Sequence, residues 1–264
     1  MGAASDAYPL TEAVAARLDV LASTGSTNAD LVRAAAADPA AWPHLSVIVT
    51  DDQRAGRGRL DRSWEAPPGS GLAVSVLVRV PGIPARARGW IPLVAGAAMA
   101  RAVAAQVADT GHDARVKWPN DVLLDGAKLC GILAEVVPGH PDAVIVGAGV
   151  NTRMTAQQLP VPTATSFAIA GLEADEDRLL ADYLTALDEQ LRALETAHGD
   201  AAAAGVLAEV EALCATLGRE VAVSLPGGST LEGRAQRIDP DGRLVVVTGL
   251  TETAVAAGDV VHVR

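Results

Sequence analysis

Four arginines, Arg54, Arg57, Arg59 and Arg62, fall within the ten-residue segment QRAGRGRLDR that runs from Gln53 to Arg62. In an extended segment side chains two apart share a face, so Arg57 and Arg59 project together, while Gly56 and Gly58 let a ligand approach the backbone closely. Such a device suits phosphate and carboxylate groups, although a solvated basic loop has the same composition. No Gly-Lys-Ser or Gly-Lys-Thr ending follows, so the segment is not a Walker loop.

Three further segments carry polar groups at spacings that bear on chemistry. In KWPND, Lys117 to Asp121, Pro119 biases Trp118 toward an extended conformation and favours a sharp turn, displaying Lys117, Asn120 and Asp121 at a strand end. Lys128 follows and opens the apolar run LCGILAEVV, which contains Gly131; a buried register there would hold an ammonium at a fixed place. Read structurally, the same residues are a turn and an exposed strand end. Ser26, Thr27 and Asn28 offer groups that both donate and accept hydrogen bonds, and they also suit a helix N-cap. GAGVN, Gly147 to Asn151, ends an apolar run with small residues and one amide that could read a purine edge or cap a turn.

The elements that must position these residues follow from hydrophobic periodicity. Leu72, Val74, Val76, Val78 and Val80 recur with period two, the strongest strand signal in the chain. Strands are also expected at Ser46 to Thr50, Ala114 to Trp118, Lys128 to Val137 and Ala143 to Val150. Helices are expected at Ala29 to Ala37, Trp90 to Val107, Glu173 to Ala197 and Ala201 to Leu217. Asp51 to Gly71 reads as a loop of about twenty residues, a length that inside a compact domain usually signals function or disorder. Residues 1 to 22 read as a lead-in. From Gly218 the composition shifts to β-branched runs with turn signals, including a hairpin at Asp241-Gly242, so the chain divides into residues 1–217 and a small barrel of residues 218–264.

Composition excludes several classes. Half of the 264 residues are hydrophobic, enough for a substantial core. With 32 acidic against 21 basic residues the formal charge is -11, which argues against a phosphate-backbone binder. Cys130 and Cys214 lack ligand spacing, so neither a disulfide framework nor a zinc site is indicated, consistent with a reducing cytoplasm. The start shows no signal-peptide pattern, and the apolar stretch Ile91 to Ala108 carries Arg101 and Gln106, so no membrane association is expected. His44, His112, His140, His198 and His262 stand in unconnected loops or ends and read as solvated.

Taken in order, STN, QxxGRGR with Trp64 close behind, KWPND, KLxGIL and GxGVN resemble the biotin protein ligase family, closely from Ser23 to Asn151 and more weakly from Gly218 on. The resemblance implies an α+β fold: a catalytic domain like that of class II aminoacyl-tRNA synthetases, a mixed sheet flanked by helices, plus a C-terminal SH3-like barrel. It implies that biotin and ATP give biotinyl-5'-AMP, and that biotin is then transferred to a lysine of a biotin carboxyl carrier domain of acyl-CoA carboxylase. Only 25 residues precede Ser26, too few for the DNA-binding head of repressor members, so the resemblance is to the monofunctional type, with no nucleic-acid partner. Cys130 stands where the family commonly has Ala or Gly and is expected to be a small core residue.

Residue by residue, the resemblance implies that Ser26, Thr27, Asn28, Gln53, Gly56, Arg57, Gly58 and Gly131 hold biotin, and that Arg59 and Lys128 face its carboxylate and the α-phosphate. It assigns Trp64, Asn151, Arg62 and Asn120 to the adenylate, with Trp64 stacked on adenine and Asn151 on its exocyclic amine. Lys117 is placed near the phosphates. Asp121 either helps to hold Mg²⁺ or deprotonates the acceptor lysine. The chemistry independently asks for cations, because an anionic carboxylate must attack an anionic phosphorus. The rival readings are a lipoate or octanoate ligase of the same fold and a non-catalytic biotin sensor.

Overall fold

The computed structural model describes residues 7–60, 62–225 and 228–263. The first sheet has seven strands. They are β1 (Arg17–Val20), β2 (Ser46–Thr50), β5 (Leu72–Arg79), β6 (Ala114–Lys117), β7 (Asp121–Leu124), β8 (Ala127–Val137) and β9 (His140–Val150). Their spatial order is β1-β2-β5-β9-β8-β7-β6. Only β1 and β2 run parallel, so this is a mixed sheet. A short hairpin of β3 (Gly56–Arg57) and β4 (Ser63–Trp64) stands apart from it.

The sheet's two faces follow from the period-two alternation of its strands. Val74, Val76 and Val78 of β5, Val144, Val146 and Ala148 of β9 and Cys130 and Ile132 of β8 belong to one large buried core. That core packs against α3 (Trp90–Gln106), α4 (Glu176–Thr196) and α5 (Val206–Leu213). Runs of alanine on α3 let its backbone approach closely, and twelve of its seventeen residues are buried. The intervening residues face the other way, where α2 (Thr27–Ala37) lies. There Leu31 and Ala35 of α2 pack on Ile48, Leu77 and Ile145. Beyond them this face is mostly small or polar: Ala73, Gly149 and Gly131 pair in one row across β5, β9 and β8, continuing to Asp121, and Ser75 and Gly147 form the next, which Leu133 ends.

The second sheet contains β10 (Glu220–Ser224), β11 (Thr230–Ile238), β12 (Leu244–Thr248), β13 (Thr251–Val255) and β14 (Asp259–His262) in the order β13-β12-β11-β10-β14, all antiparallel. The turn between β11 and β12 is seated by two buried indoles. Trp90 Nε1 donates to Pro240 O at 2.8 Å and Trp118 Nε1 to Gly242 O at 3.2 Å. A buried indole N–H requires an acceptor, so both tryptophans fix where this sheet docks.

Several expectations need correction. The lead-in is structured where described: α1 (Pro9–Val14) and the edge strand β1. Leu10 and Thr11 amides donate to the Asp177 carboxylate at the start of α4, and four residues of β1 are too few to display alternation. Of the two readings of KWPND the strand end holds for Asp121, which opens β7 directly opposite Lys117 after a turn at residues 118–120. The long arginine segment contains the β3–β4 hairpin. The last helix begins at Val206, not Ala201, because Gly205 at φ 76° interrupts it.

His44 is not simply solvated: Nε2 meets Asp188 Oδ1 at 2.8 Å and Nδ1 accepts the Arg79 amide at 2.9 Å, joining β5 to α4. His262 is half-buried, 3.2 Å from Thr216 Oγ1. Burial, reinforced by Lys117 and Arg219, holds its imidazole below the usual histidine value. Folding therefore favours the neutral ring, the unfolded chain binds more protons, and stability present above about pH 6.5 is lost as pH falls. Thermal melts from about pH 7.5 to about pH 5 are expected to show a steeper fall in Tm for the native chain than for His262→Gln; parallel curves would contradict this.

Candidate active site

The site-facing row of Ala73, Gly149 and Gly131 is the floor of a cavity whose walls come from α2, the arginine segment, the β6–β7 turn and β8. Ser26 caps α2 by accepting from the Ala29 amide at 3.4 Å, so Thr27 and Asn28 open the helix facing the sheet. Thr27 N donates to Gln53 Oε1 at 2.9 Å, and Ser75 Oγ lies 2.7 Å from Thr27 Oγ1 and 2.6 Å from Asn28 Oδ1. Ser26, Thr27 and Asn28 are all buried. Hydroxyls and amides thus converge at this closed end.

Four cations line the same cavity: Arg57, Arg59, Arg62 and Lys128. Three have carboxylate partners. Arg57 Nη2 meets Glu135 Oε2 at 2.9 Å, Arg62 meets Asp259, and Lys128 Nζ meets Asp121 Oδ1 at 2.6 Å. Arg59 instead donates to neutral oxygens, Asn120 Oδ1 at 2.8 Å and Gly258 O at 3.4 Å. Among the described residues it is the one of the four without an ion-pair partner. Burial disfavours its charge, the nearby carboxylates of Asp259 and Asp121 offsetting this in part. A partly buried guanidinium without a direct ion pair is a ready receptor for an anion.

Asn120 is held rigidly, donating Nδ2 to Ile132 O and accepting the Ile132 amide, each at 2.8 Å. Its side-chain oxygen is thereby aimed at Arg59. Trp64 lies on the paired glycines of the floor. A Cβ on Gly149 would stand 2.3 Å from Trp64 Cε2, and one on Gly131 would stand 3.2 Å from Cζ3. Only glycine at 149 admits the indole, whose ring centroid is 5.9 Å from Lys128 Nζ.

Most residues singled out in the sequence meet here: Ser26, Thr27, Asn28, Gln53, Arg57, Gly58, Arg59, Arg62, Trp64, Asn120, Asp121, Lys128 and Gly131 all line the cavity. Three do not. Gly56 pairs with Trp64 across the hairpin, behind the wall. Lys117 stands on the outermost strand, where its charge acts on His262. Asn151 is buried and donates Nδ2 to Thr165 O at 2.9 Å, committed to its own loop. Conversely, Ser75, Glu135 and Asp259 belong to the site and escaped the sequence reading. Ser75 lies in the off phase of the valine alternation, Glu135 is the lone acid in an apolar run, and no local pattern links Asp259 to Arg62.

The residues around the cavity do not form a metal cage. Among the described residues no group of three or more His, Cys, Asp or Glu side chains could hold a metal ion. Asp121 fits the mode in which a magnesium ion takes one carboxylate and its remaining oxygens from phosphates and water.

The fold defines a class. The biotin protein ligase of Aquifex aeolicus in complex with biotin and ATP superposes with a TM-score of 0.74 at 24% identity, covering 94% of this chain and 99% of that one. The sequence profile of the biotin/lipoate A/B protein ligase family matches residues 21–151, and that of the biotin protein ligase C-terminal domain matches residues 216–263. The chain is 40% identical to the biotin--[acetyl-CoA-carboxylase] ligase of Mycobacterium tuberculosis over 249 residues, 94% of this chain and 90% of that protein. It is also 33% identical to the bifunctional ligase/repressor BirA of Escherichia coli over 202 residues, 75% of this chain and 60% of that protein. The chain belongs to the biotin protein ligase family.

The fit of Trp64 on its glycine floor is testable without ligand. Gly149→Ala should expel the indole, raising acrylamide quenching of the fluorescence component that Trp64→Phe removes. The other three tryptophans are buried, so unchanged quenching would show that Trp64 does not occupy this notch.

Proposed function

We propose that the protein is an ATP-dependent biotin protein ligase, with residues 1–217 as its catalytic part and residues 218–264 as its C-terminal domain. Biotin and ATP give biotinyl-5'-AMP and pyrophosphate. A lysine of a biotin carboxyl carrier domain of acyl-CoA carboxylase then attacks the mixed anhydride and AMP leaves. The observation that carries this reading is the half-buried Arg59, without an ion-pair partner among the described residues, lining one cavity with Lys128.

In the first step the biotin carboxylate attacks the α-phosphorus, two anionic groups that repel. Arg59 and Lys128 offset that repulsion and stabilise the charge gathered on the pentacovalent phosphorus. Lys128 must leave Asp121 to do so, or share it, and the vacated carboxylate then serves one of two ends. It holds a magnesium ion, whose charge screens the ATP phosphates when bound, or it accepts the proton of the incoming lysine. Trp64 provides a flat face for adenine, with Arg62 beside the adenylate. For Asn151 to reach the adenine amine, the loop that follows β9 must give up the Thr165 contact.

The polar closed end favours biotin over lipoate or octanoate. The Thr27 and Gln53 oxygens match a ureido ring, whereas an aliphatic chain or dithiolane would leave them short of a partner, a mismatch that such sites reject strongly. The paired cations and the acidic residue beside Lys128 favour an enzyme over a passive sensor. We place the activity in the cytoplasm, where ATP and reduced thiols coexist, in keeping with the free Cys130 and Cys214. No helix among the described residues is long and apolar enough to cross a membrane.

Incubation with biotin, MgATP and a carrier domain should add one biotinyl group to the carrier by mass, and lipoate should not substitute. Lys128→Ala should retain the fold but lower biotin-dependent ATP–pyrophosphate exchange by a factor on the order of 10² to 10³. Exchange at the native rate would remove Lys128 from the chemistry.

A further inference from the structure

We propose that Glu135 is a positioning residue that fixes the direction of the hydrogen bonds at the closed end of the cavity and latches the arginine loop across it. The inference rests on biotin as the ligand. Glu135 stands on β8 and is not among the cavity-lining residues. One of its oxygens, Oε2, accepts from Arg57 Nη2 at 2.9 Å and from Asn28 Nδ2 at 2.8 Å. A single carboxylate therefore joins the loop that covers the cavity to the helix that closes it.

Counting hydrogens gives the direction of the network. Asn28 Nδ2 has two, and they point to Glu135 and to Leu133 O at 3.3 Å, so Asn28 Oδ1 must face Ser75. A flipped amide would set its oxygen against a carboxylate and a carbonyl. Asn28 Oδ1 carries no hydrogen, so the 2.6 Å contact uses the one hydroxyl hydrogen of Ser75. The Thr27 hydroxyl hydrogen has two acceptors within reach, Ser75 Oγ at 2.7 Å and Gln53 Oε1 at 3.2 Å, and the shorter contact, which has no other hydrogen to use, takes it. Every donor in the chain Thr27, Ser75, Asn28 thus points toward Glu135.

The consequence lies inside the cavity. With the hydrogen of Thr27 Oγ1 given to Ser75, Gln53 Oε1 accepts the Thr27 amide at 2.9 Å and lies 3.2 Å from Thr27 Oγ1, so both oxygens present lone pairs where the ligand enters. The closed end thereby asks for N–H donors, and the cyclic urea of biotin has two. Without the negative charge of Glu135 the Asn28 amide is free to flip, Ser75 and Thr27 can reverse, and a hydroxyl hydrogen would then oppose the ureido N–H.

Two substitutions separate the two roles. Glu135→Gln keeps an acceptor for Asn28 and loses the ion pair with Arg57; Glu135→Leu loses both. In the empty enzyme both variants should exchange amide hydrogens of residues 54–60 faster than the native chain. The biotin dissociation constant should rise about tenfold for Glu135→Gln and about a hundredfold for Glu135→Leu, the scale of one or two lost charge-assisted hydrogen bonds. The rate of adenylate formation at saturating biotin should stay within about threefold of native, because Glu135 touches no reacting atom. Glu135→Leu should also lose much of the preference for biotin over its N-methylated ureido analogue. Native loop exchange together with native biotin affinity and selectivity in both variants would overturn the proposal. If the native protein binds no biotin, the ligase reading fails, and loop exchange in the empty enzyme alone still decides whether the latch exists.

Discussion

Positive charge gathered at one place is costly, and the architecture of this protein is organised around holding four cations beside one cavity before any ligand arrives. Coulomb repulsion between neighbouring side chains is strong wherever water is partly excluded. Three of the four are neutralised by carboxylates drawn from three separate elements: Glu135 on β8, Asp121 on β7 and Asp259 on β14. The fourth, Arg59, is held by the oxygens of Asn120 and Gly258 and so keeps its charge available. A ligand that brings its own negative charge can replace the carboxylate at Lys128 or Arg62 and meets Arg59 without competition, while Arg57 keeps Glu135.

This arrangement explains why the C-terminal sheet belongs to the site. Asp259 and Gly258 meet Arg62 and Arg59, and two buried tryptophans anchor the β11–β12 turn on the larger sheet. The arginine segment is consequently bound on both flanks, to β8 through Arg57 and to the second sheet through Arg59 and Arg62. A glycine-rich, like-charged segment has little packing of its own, and these partners supply it. They are exchangeable ion pairs and hydrogen bonds on the surface of the loop, strong enough to define a resting position and weak enough to yield to a ligand.

Local pattern made a large part of this legible. Alternating valines in β5 disclosed one face of the sheet, and the motif residues from Ser26 to Lys128 converge where the other face changes from the Leu77 and Ile145 that α2 covers to alanine, serine and glycine. What escaped reading depends on partners distant in sequence. Glu135 and Asp259 are unremarkable acids until Arg57 and Arg62 are folded against them, and Ser75 is a polar residue in a strand until α2 covers it. Lys117 and Asp121 looked equivalent in KWPND, yet the β6–β7 register puts Lys117 on the outer strand and Asp121 beside Lys128. Asn151 ends β9 as expected, but its amide is taken by a loop whose course no local pattern foretold.

In the proposed mechanism Arg59 and Lys128 act on the same pair of anionic groups. A crystal structure of the protein with a non-hydrolysable sulfamoyl analogue of biotinyl-5'-AMP should show both side chains within hydrogen-bonding distance of the linkage between the acyl and nucleoside parts, with Lys128 drawn away from Asp121. An analogue bound with either cation still in its resting contact, and no polar contact to that linkage, would contradict it.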